Sequence, residues 1–160
     1  MNLFAAALAA AALAGCATAP PAPAAPTHYV MRHLQKAEGP DPALSAEGRA
    51  NAERLAGWFG AAAPAAIYVS TTRRARETAA PLAARLGLTP KEYNPADTPA
   101  LVARVLAEPG NVLVVGHSNT VPEIVERLGG DRPADLAETD FGAIWQIAGP
   151  DRKTEARRLY

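Results

Sequence analysis

The sequence predicts an α/β fold, a three-layer α/β/α sandwich around a mostly parallel central sheet, on three observations. From Tyr29 onward, short apolar runs rich in β-branched residues alternate with longer amphipathic segments, the pattern that builds βαβ units. NVLVVGHS (residues 111–118) opens as an unbroken apolar run, the kind a parallel sheet buries on both faces. Polar residues able to do chemistry stand at the ends of three such runs, where open α/β sheets bind ligands.

Each element has its own justification. HYVMRH is short, apolar and β-branched, and stops at a polar site, Arg32-His33; Arg32 is the first charged side chain of the chain. LSAEGRANAERLAGWFG reads as a helix capped by Ser45, with Leu55, Trp58 and Phe59 on one face. AAIYVS is a second strand, and TTRRARETAAPLAARLG a helix ended by Gly87. Pro81 within it is expected to kink or divide that helix, since proline lacks the amide hydrogen and crowds the preceding turn. LVARVLAEPG is an amphipathic helix with a Pro-Gly stop. After NVLVVGHS come the helix TVPEIVERLGG, the strand AIWQIA, and EARRLY as a last strand.

The 160 residues suit one domain with a normal core, placed at 28–160. Sixteen Lys and Arg balance sixteen Asp and Glu, without the basic excess of a general nucleic-acid binder, so no nucleic-acid partner is expected. Residues 1–15 read as a targeting segment. MNLFAAALAAAALAGC is apolar, too short to span a bilayer comfortably, and ends in small residues before the single cysteine. It resembles a bacterial lipoprotein signal, with Leu13-Ala14-Gly15-Cys16 as the lipobox, although its n-region lacks the usual basic residue. That resemblance implies cleavage before Cys16, lipidation of Cys16, and a chain anchored to membrane in the bacterial cell envelope. Ala17 after the cysteine resembles outer-membrane sorting, facing the periplasm. Residues 16–27 then form an Ala/Pro-rich tether, extended and without core-forming residues. With one cysteine no intramolecular disulfide exists, and three histidines with that cysteine committed make a His/Cys zinc site unexpected. No cofactor is called for.

The strand-end residues suit phosphoryl chemistry. Guanidinium forks meet phosphate oxygens with paired hydrogen bonds, so arginines from two strand ends can grip a phosphoryl group without a metal. A neutral imidazole is a nucleophile near neutral pH, and covalent catalysis divides hydrolysis into two easier steps. Arg32-His33, then Ser70, Arg74, Ala75, Thr78 and Ala79, then Gly116-His117-Ser118 occur in that order. Together with LSAEGR they resemble the histidine phosphatase superfamily, with its phosphoglycerate-mutase-like fold. The resemblance implies that His33 attacks phosphorus and becomes a phosphohistidine, while Arg32, Arg74, His117 and Ser118 hold the phosphate. It implies a metal-independent phosphatase acting on phosphorylated small molecules or a phosphoprotein. Arg73, Arg76 and Arg85 read as helix-surface charges, and His28 as a structural residue.

Two departures from the family qualify this reading. Where relatives have glycine, or alanine followed by glutamate, this chain has Leu34 and Gln35. Leu34 is expected to add bulk beside the phosphate and Gln35 to remove a charge from the pocket mouth. A carboxylic acid is also wanted to protonate the leaving oxygen. Asp97 stands nearest the family's spacing, with Glu92 behind it, and the competing role for Asp97 is a helix cap near Pro99. Short connections imply a shallow, open pocket, suited to a phosphatase and not to a mutase that must shield its phosphoenzyme from water. The alternative is a catalytically weakened member that binds a phosphorylated or anionic ligand at the envelope. The oligomeric state is left open by the sequence.

Overall fold

The computed structural model describes residues 25–160; the expected signal segment 1–15, Cys16 and the tether as far as residue 24 lie outside the described residues. Six strands form one sheet: β1 (His28–Arg32), β2 (Ala66–Ser70), β3 (Lys91–Tyr93), β4 (Val112–Gly116), β5 (Ala143–Ala148) and β6 (Lys153–Arg158). Among the described residues four α-helices cover it: α1 (Ala46–Trp58), α2 (Arg73–Leu86), α3 (Thr98–Leu106) and α4 (Val121–Arg127). The strand order is β3-β2-β4-β1-β5-β6. The first four run parallel; β5 is antiparallel to β1, and β6 to β5.

Alternation along the strands divides the core into two layers. Tyr29, Met31, Ile67, Val69, Leu113 and Val115 face α1 and α2, meeting Leu55, Ala79 and Leu82. Val30, Tyr68 and Val114 face the other way, against Leu101 and Val105 of α3 and Ile124 and Val125 of α4. β1, β2 and β4 are therefore buried at every position, which is why their sequences read as continuous apolar runs. The three-layer α/β/α reading holds. Among the described residues no helix is long and apolar enough to cross a membrane.

Three local outcomes differ from expectation. α2 is not divided at Pro81: it runs as one helix from Arg73 to Leu86, with Ala79, Leu82 and Ala83 on either side of the proline buried. That packing against α1 and the sheet keeps the helix continuous across the proline despite the missing hydrogen bond. Gly87 ends the helix as expected, at φ 66°. β3 has no signal in the sequence, because Lys91-Glu92-Tyr93 is short, mostly exposed and gains its strand form from pairing with β2. The last strand begins earlier than EARRLY, at Lys153, as an edge strand carrying several charges, a composition that discourages pairing with other chains.

The Leu-Ser-x-x-Gly start of α1 has a physical reason. The Ser45 side chain accepts from the Gly48 amide at 3.1 Å, and the Ser45 amide donates to the Gln35 carbonyl at 2.9 Å. A Cβ on Gly48 would lie 2.0 Å from that same carbonyl oxygen. Glycine thus lets the first turn of α1 press against the segment immediately after Arg32-His33.

Candidate active site

β2, β4 and β1 are adjacent and parallel, so their carboxyl ends deliver Ser70, His117 and Arg32-His33 to one edge of the sheet. The His33 amide donates to the Gly116 carbonyl at 2.9 Å, carrying the β1–β4 pairing one residue beyond β1. The space at Gly116 is tight: a Cβ there would meet Thr120 Oγ1 at 3.0 Å and the Tyr93 hydroxyl at 3.2 Å. Thr120 Oγ1 is in use, accepting from the His117 amide at 3.0 Å.

The hydrogen bonds fix both imidazole tautomers. His33 Nδ1 lies 2.8 Å from the Leu34 carbonyl oxygen, which can only accept, so Nδ1 carries the proton. His33 Nε2 accepts from Arg74 Nε at 3.0 Å. His117 Nδ1 faces Arg74 Nη2 at 3.4 Å, so its Nε2 donates to Ser70 Oγ at 2.8 Å. One guanidinium edge of Arg74 therefore spans the free lone pairs of both rings, whose centroids are 5.3 Å apart. Burial holds His33 down to about 3, with Arg74, His117 and Arg32 acting in the same direction and the Leu34 carbonyl opposing them. Burial, then Arg74 and Arg32, lowers His117 to about 4. Both rings are neutral at physiological pH.

Thr78 ties the site's two halves together. Its hydroxyl accepts from the Leu34 amide at 3.0 Å and donates to the Arg74 carbonyl at 2.8 Å. Arg74 also lies 3.8 Å from the Asp41 carboxylate. Arg32 is buried and bound mainly by the segment before β5: Nη1 donates to the carbonyls of Ala137 and Asp140, Nη2 pairs with Glu138, and the guanidinium lies 4.3 Å from the Phe141 ring centre. Arg32, His33, Arg74, His117 and Ser118 line one cavity of about 340 Å³, together with Lys36, Asn119 and Glu138. A second, of about 370 Å³, shares Arg74, His117 and Asn119 and continues toward Pro95 and Ala96. The result is an open groove with arginines and neutral histidines at its floor.

The model of the histidine phosphatase superfamily (branch 1) matches residues 28–96, from β1 past β3, including Arg32, His33, Ser70 and Arg74. Over that stretch the chain is similar to the histidine phosphatase superfamily. No curated protein sequence matches it. Solved structures extend the likeness of fold over the remainder of the domain. A mycobacterial glucosyl-3-phosphoglycerate phosphatase in complex with inorganic phosphate is 20% identical with a TM-score of 0.63, over 84% of this chain and 95% of that one. The protein histidine phosphatase SixA complexed with tungstate is 19% identical with a TM-score of 0.61, over 82% and 94%. The described domain thus has the phosphoglycerate-mutase-like fold.

The departures look different in the structure than in the sequence. Leu34 is fully buried in the α1–α2 core layer and does not line the groove, so it adds no bulk beside the phosphate position. The backbone turns there so that the Leu34 carbonyl meets His33 while its side chain points into the core. Gln35 bonds the Tyr160 hydroxyl at 2.7 Å, Glu47 at 3.1 Å and Asn51 at 3.2 Å, pinning the C-terminus to α1. Asp97 caps α3, accepting from the Ala100 amide at 3.1 Å, and is not among the residues lining either part of the groove. Glu92 pairs with Arg76 at 3.1 Å. His28 sits at the far end of β1, against Arg152 at 3.1 Å, away from the site. Arg73, Arg76 and Arg85 bond Glu77, Glu92 and the Ala56 carbonyl on the surface. Sequence reasoning missed Glu138, which lies in LAETDFG, a stretch with no motif, and Thr78's linking role, for which Arg74-x-x-x-Thr78 spacing was the available signal.

Proposed function

We propose that this domain is a metal-independent phosphatase that hydrolyses phosphomonoesters or phosphohistidine through a covalent intermediate on His33. The observation that carries the reading is the His33 ring: neutral, with Nδ1–H held by the Leu34 carbonyl and the Nε2 lone pair directed at Arg74. A phosphoryl group entering the groove takes over the Arg74 donors, freeing Nε2. The Nε2 lone pair then forms the new N–P bond while the bond from phosphorus to the leaving group breaks, P–O in a phosphomonoester or P–N in phosphohistidine. The electron pair departs on that oxygen or nitrogen, which collects a proton from solvent. Arg32, Arg74, His117 and Ser118 hold the remaining oxygens as charge spreads over them. Water next attacks phosphorus and releases a proton to solvent, the N–P bond breaks, and its electron pair returns to Nε2, leaving inorganic phosphate. The related folds that carry inorganic phosphate and tungstate support a tetrahedral oxyanion as the ligand.

The open groove suits an exposed phosphoryl group on a large partner or a small phosphomonoester. A second reading, a member that binds phosphorylated or anionic ligands with little turnover, draws support from Asp97 and Glu92 being engaged elsewhere. p-Nitrophenyl phosphate separates the two, because nitrophenolate leaves without a proton donor. Turnover that survives EDTA and disappears in His33→Ala supports the enzyme; phosphate binding without turnover supports the second reading. Turnover abolished by EDTA and retained in His33→Ala contradicts the mechanism.

A further inference from the structure

Among the residues lining the phosphate-facing part of the groove, Glu138 is the single carboxylate. Its Oε2 lies 3.0 Å from Arg32 Nη2, and its Oε1 lies 3.4 Å from Ser118 Oγ. An acidic side chain thus sits on two of the groups assigned to phosphate. We propose that Glu138 is an internal competitor for Arg32 that sets how tightly the site holds its oxyanion, substrate and released phosphate alike; this rests on the phosphate-site reading above.

The two edges of the Arg32 guanidinium are used differently. Nη1 is committed to main-chain carbonyls, Ala137 at 2.7 Å and Asp140 at 3.3 Å, which cannot be displaced without moving the loop. Nε–H and Nη2 form the other edge, the side-on fork that takes two oxygens of a carboxylate or phosphate. On that fork only Nη2 has a partner; Nε is buried with none. A buried donor left without a partner is unfavourable and calls for a reason. Half of the fork is occupied by one oxygen of Glu138, and a tetrahedral oxyanion replacing that carboxylate supplies acceptors for both donors.

Glu138 is suited to leaving. Arg32's side chain is 3% exposed whereas Glu138's is 77% exposed, so the carboxylate swings into water with little lost burial. A phosphate dianion and a carboxylate cannot share one fork, because like charges at that distance repel. Binding therefore includes the cost of breaking the Glu138–Arg32 pair, and the returning carboxylate helps expel inorganic phosphate after hydrolysis. A carboxylate that served only to neutralise buried Arg32 would act in the opposite direction: removing it would weaken the site.

The test is the affinity of the full-length protein for inorganic phosphate, by calorimetry and as a competitive inhibition constant against p-nitrophenyl phosphate. Glu138→Gln and Glu138→Ala should each bind phosphate about tenfold more tightly than wild type, with a matching fall in KM. Thermal denaturation identifies any variant that has lost its fold, and Glu138→Asp, which keeps the charge on a shorter arm, then stands in with an intermediate gain. Unchanged or weaker phosphate binding in the folded variants overturns the proposal. Wild type failing to bind phosphate at all would overturn the phosphate-site reading itself, which keeps the two failures distinct.

Discussion

At the scale of single residues, the same side-chain type reads differently according to what its neighbours leave free. Asp97 and Glu138 are both exposed acids near the carboxyl edge of the sheet. Asp97 spends its carboxylate on the Ala100 amide, whereas Glu138 turns its own toward Arg32 and Ser118. Asp97→Ala is accordingly expected to cost about 1 kcal/mol of stability, a normal loss for a helix cap. It should slow alkyl phosphates and p-nitrophenyl phosphate by the same small factor, checked by denaturant titration alongside steady-state rates. A selective loss on alkyl phosphates would instead mark Asp97 as the proton donor. Leu34 shows why a one-residue departure from a family pattern misleads: sequence spacing says which residue follows His33, and only the backbone turn says that its side chain enters the core.

Among the elements, the segment from β1 to α1 does the most to position the nucleophile. The Leu34 carbonyl holds the His33 tautomer, the Leu34 amide is held by Thr78, and the Gln35 carbonyl receives the Ser45 amide beneath Gly48. Gly48→Ala would force a methyl to 2.0 Å from the Gln35 oxygen, so either α1 or that segment must shift. The expected result is a loss of about 1–3 kcal/mol, as for other overpacked contacts, with kcat falling more than the stability change alone accounts for. Thermal melts and p-nitrophenyl phosphate kinetics on one preparation check both. A variant with wild-type melting and wild-type rate would remove α1 from the account of the site. Most elements were legible because their cues are local: Ser45 as a cap, Gly87 as a stop, the apolar runs of β1, β2 and β4. β3 was not, because it takes its form from β2, and the unbroken course of α2 through Pro81 depends on packing that lies outside its own sequence.

For the whole molecule, three buried histidines link folding to pH. Burial together with a neighbouring arginine holds His28 to about 4, and burial with the surrounding charges holds His33 and His117 to about 3 and 4. In the unfolded chain each titrates near its ordinary 6.5. Below that pH the unfolded state takes up protons that the folded state refuses, so the stability contribution is complete above about 6.5 and declines as pH falls toward 4. Urea midpoints measured from pH 7.5 to 4 should therefore fall steadily, and His28→Asn should flatten that slope while sparing the site. A midpoint independent of pH across this range would contradict the burial of neutral rings. The gathering of the candidate site was legible at the same scale: Arg32-His33, Ser70, Arg74 and Gly116-His117-Ser118 are distant in sequence, and predicting parallel strands was enough to bring them to one edge. Glu138 was not legible, since nothing local distinguishes it from any acid in a polar loop; only its pairing with Arg32 across more than a hundred residues does.

Everything functional in this account depends on His33 Nε2 forming a bond to phosphorus. The most direct measurement is to mix the protein with a slowly turned-over phosphomonoester, quench in alkali to preserve phosphohistidine, and map the label by mass spectrometry and phosphorus NMR. One phosphoryl group is expected, on His33, at Nε2 because Nδ1–H is bound to the Leu34 carbonyl, and none in His33→Ala. A phosphoryl group on His117 or any other residue, or turnover retained by His33→Ala with no labelled intermediate, would contradict it.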